Sequence, residues 1–246
     1  MVSKWSDITI SQYIELLDED VNDTISIYSI VLDKSKQDIE DMSIEEFESI
    51  DCSFIFKPIS KNYKEKISLN NYDFYLIPFE KLEFGAFIDL EYFFNQEYKY
   101  NIPKILSILY RRQEKVKDDI TPIEYERYNS WLDIREGIFN QSIIEDVYGA
   151  IDKYIQFRST IFKTYEGLFQ EKEEEVDEQQ ESEFLRNMTG KEREAYYKEK
   201  SISQYGYELW LMRLAKDEPT KMIEAASMPV IQAFNILGMM QTLKMK

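Results

Sequence analysis

A chain of 246 residues with 43% hydrophobic and 15% aromatic side chains has enough apolar surface to fold, and its seven glycines and six prolines are too few for the dense turns of a β-sandwich or barrel. Thirty lysines and arginines stand against 47 aspartates and glutamates, a net charge of −17 that opposes direct nucleic-acid binding unless the cations are strongly segregated. There is no histidine, so the commonest general base and transition-metal ligand are missing, and the single cysteine, Cys52, cannot close an intramolecular disulfide.

In chain order, the first elements are short helices. Ile14 and Leu17 follow Ser11 at helical spacing, and Asn22 or Asp23 can cap a segment carrying Ile27, Ile30 and Val31. Ser43-Ile44-Glu45-Glu46 has the form of a capping box, which would turn Phe47 and Ile50 inward. Near residue 54 the period changes. Tyr63 to Leu69 and Tyr72 to Phe79 flank Asn70-Asn71, two residues tolerant of positive φ, and predict a β-hairpin with Tyr72, Phe74 and Leu76 on one face. Phe54-Ile55-Phe56 is the expected third strand, since a lone hairpin is marginal in water. Helical spacing then returns in Phe84, Phe87, Ile88 and Glu91 to Phe94. Asn101-Ile102-Pro103 opens a helix bearing Ile105, Leu106 and Leu109, with Arg111-Arg112 at its C-terminal end.

After a charged linker from Gln113 to Asp119, Thr121-Pro122-Ile123-Glu124 combines a cap, a first-turn proline and an acid. Val147, Ile151, Tyr154, Ile161, Tyr165 and Leu168 trace a long helical seam, weakened locally by Gly149 and Gly167. From Glu171 to Glu183 the chain carries eight acids and one lysine, the composition of a solvated face or linker. Thr189-Gly190-Lys191-Glu192 can cap another segment, Leu209, Trp210, Arg213 and Leu214 suggest a buried stripe, and Pro219 and Pro229 open two last helices. The second of these presents Val230, Ala233, Phe234 and Leu237. The expected fold is mainly α with a small β-hairpin element, α+β in class, with a multi-helical second half. Residues 1–112 form an N-terminal helical subdomain holding the hairpin (about 54–79). Residues 113–246 form a helical subdomain with the acidic segment 171–183 and the C-terminal helices.

Little in this pattern points to chemistry. Arg186 to Lys191 lacks the first glycine of a phosphate loop, and Glu192 stands where the magnesium-binding hydroxyl should be. Carboxylate pairs such as Glu45/Glu46, Asp118/Asp119 and Glu145/Asp146 are expected by chance among 47 acids. Asp38, Asp41 and Glu45 have the spacing of a solvated helix face rather than of a magnesium site, and Cys52 has no neighbouring base or cation cluster to activate it. No catalytic, cofactor-binding or metal-ligating residue is assigned, no cofactor is expected, and the chain is read as a non-enzyme. No run approaches the roughly 18 apolar residues of a membrane span. The segment Met1 to Asp7 lacks a secretory pattern, so a cytosolic product without membrane association is expected. Six of nine methionines lie in the last 35 residues. Methionine fills irregular cores and also adapts to partners, and in the second role Met222, Phe234, Met239 and Met240 are the candidate partner-binding residues.

Several segments together resemble a group of proteins from tailed bacteriophages of Bacteroidetes, including crAss-like phages, encoded among virion and tail-assembly genes. They are Trp5-Ser6-Asp7-Ile8-Thr9-Ile10 with Tyr13, Ser43 to Phe47, Leu82-Glu83-Phe84-Gly85-Ala86-Phe87-Ile88-Asp89-Leu90, and Ile102 to Tyr110. A weaker likeness extends to Tyr205-Gly206-Tyr207 and the Pro229 to Leu237 helix, so that roughly the first 112 and last 40 residues are covered. The resemblance implies a non-catalytic assembly or structural protein, either a tail or virion assembly chaperone or a minor virion component of the tail, connector or capsid interior. Its partner would be another phage protein, with homo-oligomerisation also compatible, and its location the host cytoplasm during assembly or the virion. Residues 113 to 200 depart from the pattern, and no functional residue transfers across them. Two other readings stand beside it: an acidic inhibitor or nucleic-acid mimic that binds a host protein, and a histidine-free enzyme.

Overall fold

The first helix opens on a reciprocal cap. Thr9, in extended conformation, accepts the backbone N–H of Gln12, and the Gln12 side chain accepts the Thr9 N–H at 2.9 Å, starting α1 (Ile10–Asp18). This is the beginning of a computed structural model that describes residues 4–113, 125–128, 132–169 and 206–243. Asp23 caps α2 (Thr24–Leu32) through the Ser26 N–H, and α2 stops where Asp33 enters left-handed conformation at φ 52°. Capping boxes also start α3 (Lys36–Glu40), with Ser35 and Asp38, and α4 (Ile44–Glu48), with the expected Ser43 and Glu46. Phe47 and Ile50 reach only half-burial, Phe47 against the Tyr28 ring at 4.9 Å.

The hairpin forms as predicted but shorter. Strands β1 (Lys66–Leu69) and β2 (Tyr72–Leu76) pair antiparallel with Leu69 opposite Tyr72, joined by Asn70 and Asn71 at φ 49° and 66°. Two successive positive φ values give the turn a twist that matches the strands. The third strand is not Phe54 to Phe56. Asp51 accepts the Ser53 N–H at 2.9 Å, an Asx turn that winds Ser53–Phe56 into a 3₁₀ turn and buries Phe54 against Trp5. The free edge of β2 is taken instead by β3 (Tyr110–Arg111), in the order β1-β2-β3, so Arg111, 2% exposed, lies in a strand while its Nε–H still donates to the Ile108 carbonyl at the end of the preceding helix.

Helices α5 (Phe84–Asn95) and α6 (Ile102–Leu109) follow the expected apolar spacing, with Pro103 in the first turn of α6. Beyond them come α7 (Leu132–Phe139), α8 (Ile144–Thr164) and the short α9 (Glu166–Phe169). The seam breaks at Tyr165 and runs unbroken through Gly149. There the backbone of residues 61–62 lies against α8 so closely that a Cβ on Gly149 would stand 1.9 Å from the Lys61 carbonyl oxygen. Glycine serves close approach here, not helix weakness. The Thr121 to Glu124 cap, the acidic run 171–183, residues 186–192, Met245 and most of the linker from Gln113 lie outside the described residues.

The chain divides into two compact units, and they do not part at residue 112. Unit 1 comprises residues 1–79 and 89–157, and unit 2 residues 80–88 and 158–246. The cut drawn from charge missed this because contacts, not linker composition, define a unit, and the boundary falls within α5 and α8. In unit 1 the sheet packs Phe74 on Phe139 at 5.2 Å, and Tyr154 is fully buried with Phe79 and Phe94 around it. Unit 2 centres on the Val230–Thr242 helix, whose Val230, Ala233, Phe234 and Leu237 are buried as predicted. The Gly206–Leu214 helix carries no fully buried residue and exposes Arg213, so the stripe expected there is half-buried at most.

Candidate functional site

Helix α1 carries more apolar residues than its core contact consumes. Ile10 and Tyr13 are buried, whereas Leu16 and Leu17 are half-buried and line an open groove of about 420 Å³ in unit 1. Val21 continues that side of the groove, and Ile55, Phe56 and Pro58 form the other. Its shape is held by Trp5, whose indole N–H is accepted by the Lys57 carbonyl at 2.9 Å and whose ring meets Phe54 and Tyr13 edge-on. Phe56 is 70% exposed and Val21 63% exposed, and both line the groove. Leu17 also lines a second recess of about 390 Å³, formed with residues 96–100.

Of the ionisable groups around this groove, Tyr13 and Cys52 are buried and Lys61 is paired. Burial, with the neighbouring Tyr148 and Tyr98, pushes the Tyr13 hydroxyl up to about 12. Burial together with Asp51 pushes the Cys52 thiol up to about 11, which leaves it protonated and unreactive near neutral pH. Lys61 is paired with Asp152 at 2.7 Å. What the groove offers is apolar surface and shape. Neither Phe56, expected in a strand, nor Val21 is among the partner-binding residues the sequence suggests. The available signal was the surplus of apolar positions in α1, with five of its nine residues, Ile10, Tyr13, Ile14, Leu16 and Leu17, too many for one buried stripe.

A second concentration of ionisable groups in unit 1 is a clasp. Glu126 receives two hydrogen bonds from the Arg112 guanidinium, both at 3.2 Å, and an ion pair from Arg135 at 2.7 Å. Its backbone N–H also bonds the Arg112 carbonyl. Arg111 reaches the Glu126 carbonyl and lies over the Tyr128 ring, and the Tyr128 hydroxyl donates to Asp89. Residues 125–128 are thereby tied to β3, α5 and α7. Burial would raise the Glu126 carboxyl, but its bonds to Arg112 and the charge of Arg135 outweigh this and hold it below its ordinary value of 4.5. The clasp therefore contributes stability above pH 4.5 and loses it as pH falls through the lower folded-state value. Glu126→Gln should cost about 2 kcal/mol at pH 7. Thermal melts should show the gap between variant and wild type narrowing toward pH 3.

Of the residues proposed from sequence as a partner surface, Phe234 is corrected. It is fully buried, with the rings of Phe84, Phe87, Tyr165, Phe169 and Trp210 within 5.2–5.8 Å, so it is core. Met222 and Met240 are half-buried, and Met239 alone of the four is exposed, at 57%, one turn before the exposed Leu243. Among the described residues no three Cys, Asp or Glu side chains converge as metal ligands, and no helix is long and apolar enough to cross a membrane. Asp38, considered for magnesium, is occupied in the Ser35 capping box. No protein-family model, curated protein or solved structure matches the chain.

Proposed function

We propose that this chain is a non-catalytic bacteriophage assembly or structural protein that works by binding another phage protein, as a tail or virion assembly chaperone or a minor virion component. The observation that carries the binding reading is the unit 1 groove, whose rim holds Phe56 at 70% exposure beside half-buried Leu16 and Leu17. Apolar surface of this kind is a cost to a lone soluble protein and a gain to one that covers it with a partner. The phage context is supported by the segments Trp5 to Tyr13, Ser43 to Phe47, Leu82 to Leu90 and Ile102 to Tyr110. The −17 charge favours a protein partner over direct contact with nucleic acid.

Affinity capture from phage-producing cells tests this. The wild-type chain should retain a virion or tail protein, and a Val21→Asp, Phe56→Asp variant should retain about tenfold less with an unchanged melting temperature, because both side chains are already exposed. A Met239→Asp variant serves as the second arm; loss there and not in the groove variant would move the contact to unit 2. Recovery of host nucleic-acid-binding proteins alone, released by salt, would replace this reading with that of an acidic mimic.

A further inference from the structure

Residues 125–128 lie on the sheet as a docked peptide would. Backbone groups of a strand alternate between its two edges. Just before β3 the Leu109 carbonyl serves the β2 side, accepting from the Ile77 N–H at 3.0 Å, so the Arg112 carbonyl faces the opposite edge. There it accepts the Glu126 N–H at 2.8 Å, and Tyr125 bridges Gln113 antiparallel. None of residues 125–128 is fully buried, and Arg127 is exposed. The arginines beneath are also held by contacts that do not involve this segment. Arg111 is fixed by strand pairing with Tyr75 and by its Nε–H on the Ile108 carbonyl at 3.1 Å, Arg112 lies over the Tyr72 ring, and Arg135 donates to the Ser107 carbonyl at 3.4 Å. Arg111 and Arg135 are 2% and 5% exposed, so guanidinium groups seated in this way lose little further freedom when they meet an anion.

We infer that β3, α5 and α7 form a docking site for an extended segment of another polypeptide carrying glutamate and, two residues on, tyrosine, with residues 125–128 as the chain's own competing occupant. Positions two apart in an extended chain share a face, and Glu126 and Tyr128 show what that face meets. The carboxylate sits between Arg112 and Arg135, the ring lies on Arg111, and the hydroxyl donates to Asp89. Main-chain pairing at a sheet edge supplies affinity, and the alternate side chains supply specificity. The contact is made of charge-assisted hydrogen bonds, so displacing residues 125–128 uncovers guanidinium groups that water or an incoming carboxylate can satisfy. Three arginines gathered in a chain of net charge −17 give an acidic segment a local target. Because the occupant is tethered, an incoming segment must outcompete a high effective concentration. This site is separate from the groove and goes beyond the reading above, since it rests neither on the groove nor on a phage partner.

The test titrates the full chain into a labelled, end-blocked peptide with the sequence of residues 125–128 between glycines, Gly-Tyr-Glu-Arg-Tyr-Gly, followed by anisotropy. A Glu126→Ala, Tyr128→Ala variant, freed of its own occupant, should bind this peptide about tenfold tighter than wild type. Glu126→Gln, which keeps Tyr128 and the backbone bond to Arg112, should fall between the two, and it carries the comparison if the double variant does not fold. In whichever variant is used, glutamine in place of the peptide's glutamate should weaken binding about tenfold, and so should adding Arg112→Gln, whose side chain is 46% exposed and not part of the core. A peptide of the same composition in the order Tyr-Tyr-Arg-Glu should bind about tenfold more weakly than the parent. Binding to wild type as tight as to both variants would place the peptide elsewhere and overturn the inference. So would no binding to either variant, equal binding of the glutamine or reordered peptide, or an affinity that Arg112→Gln leaves unchanged. Each of these outcomes would leave the groove reading intact, because Val21 and Phe56 take no part in the measurement.

Discussion

Replacing Gly149 with alanine should lower the melting temperature by roughly 6–12 °C, the equivalent of about 3 kcal/mol. Taken as an isolated helix, α8 would gain from this change, because alanine is better than glycine in a helix interior by about 1 kcal/mol. Tertiary contact reverses the sign. The new Cβ would stand 1.9 Å from the Lys61 carbonyl oxygen and 2.5 Å from that of Asn62, both backbone atoms that no rotamer change can move aside. Segment 61–64 would have to retreat, taking with it the Gly149 N–H to Asn62 bond, the Lys64 N–H to Asp146 bond and the Lys61–Asp152 ion pair. Gly137, in α7, is the control: no atom lies within 4 Å of its Cβ position, so Gly137→Ala should stabilise by about 0.5–1 kcal/mol. Thermal melts of the two variants side by side check both signs, and a Gly149→Ala protein as stable as wild type would show that the 61–64 strap is not held against α8.

Phe234→Ala should cost about 4 kcal/mol, the middle of the range for emptying a buried aromatic site. Five rings surround this side chain, four of them edge-on or tilted and Tyr165 stacked at 25° to it. Removing the centre of such a cluster leaves a cavity that rigid aromatic neighbours cannot close by small adjustments. The expected signature is loss of near-ultraviolet circular dichroism from these aromatics, with amide exchange rising across residues 206–243 first. Met239→Asp, on the same helix, should leave melting within about 0.5 kcal/mol because Met239 is 57% exposed. If both variants melt alike, Phe234 is not the hub that its ring contacts describe.

These contrasts show what was legible in the chain alone. Ser43 with Glu46 forms the cap its spacing predicts, Asn70-Asn71 makes the turn its two positive φ values require, and Val230, Ala233, Phe234 and Leu237 form the buried stripe of the last described helix. Each depends on residues within a few positions of one another, so local stereochemistry and helical period suffice. Phe54 to Phe56 misled for the same reason: an apolar run is equally compatible with a strand and with a turn, and the Asx bond from Asp51 tipped it to the second.

By itself, then, the sequence determined the class of the fold, the cap and turn positions and the burial of the C-terminal stripe, because these are written in period and in short-range hydrogen bonding. The tertiary structure alone decided that β3 rather than Phe54 to Phe56 completes the sheet, that Gly149 marks a backbone approach, that Arg111, Arg112 and Arg135 gather around residues 126–128, and that the surplus leucines of α1 line a groove with Phe56. Three of these depend on residues tens of positions apart, and the arginine cluster on the loop that brings Glu126 back to Arg111 and Arg112. Such pairings are chosen by the shape and charge the folded surfaces present to one another, which periodicity along the chain does not encode.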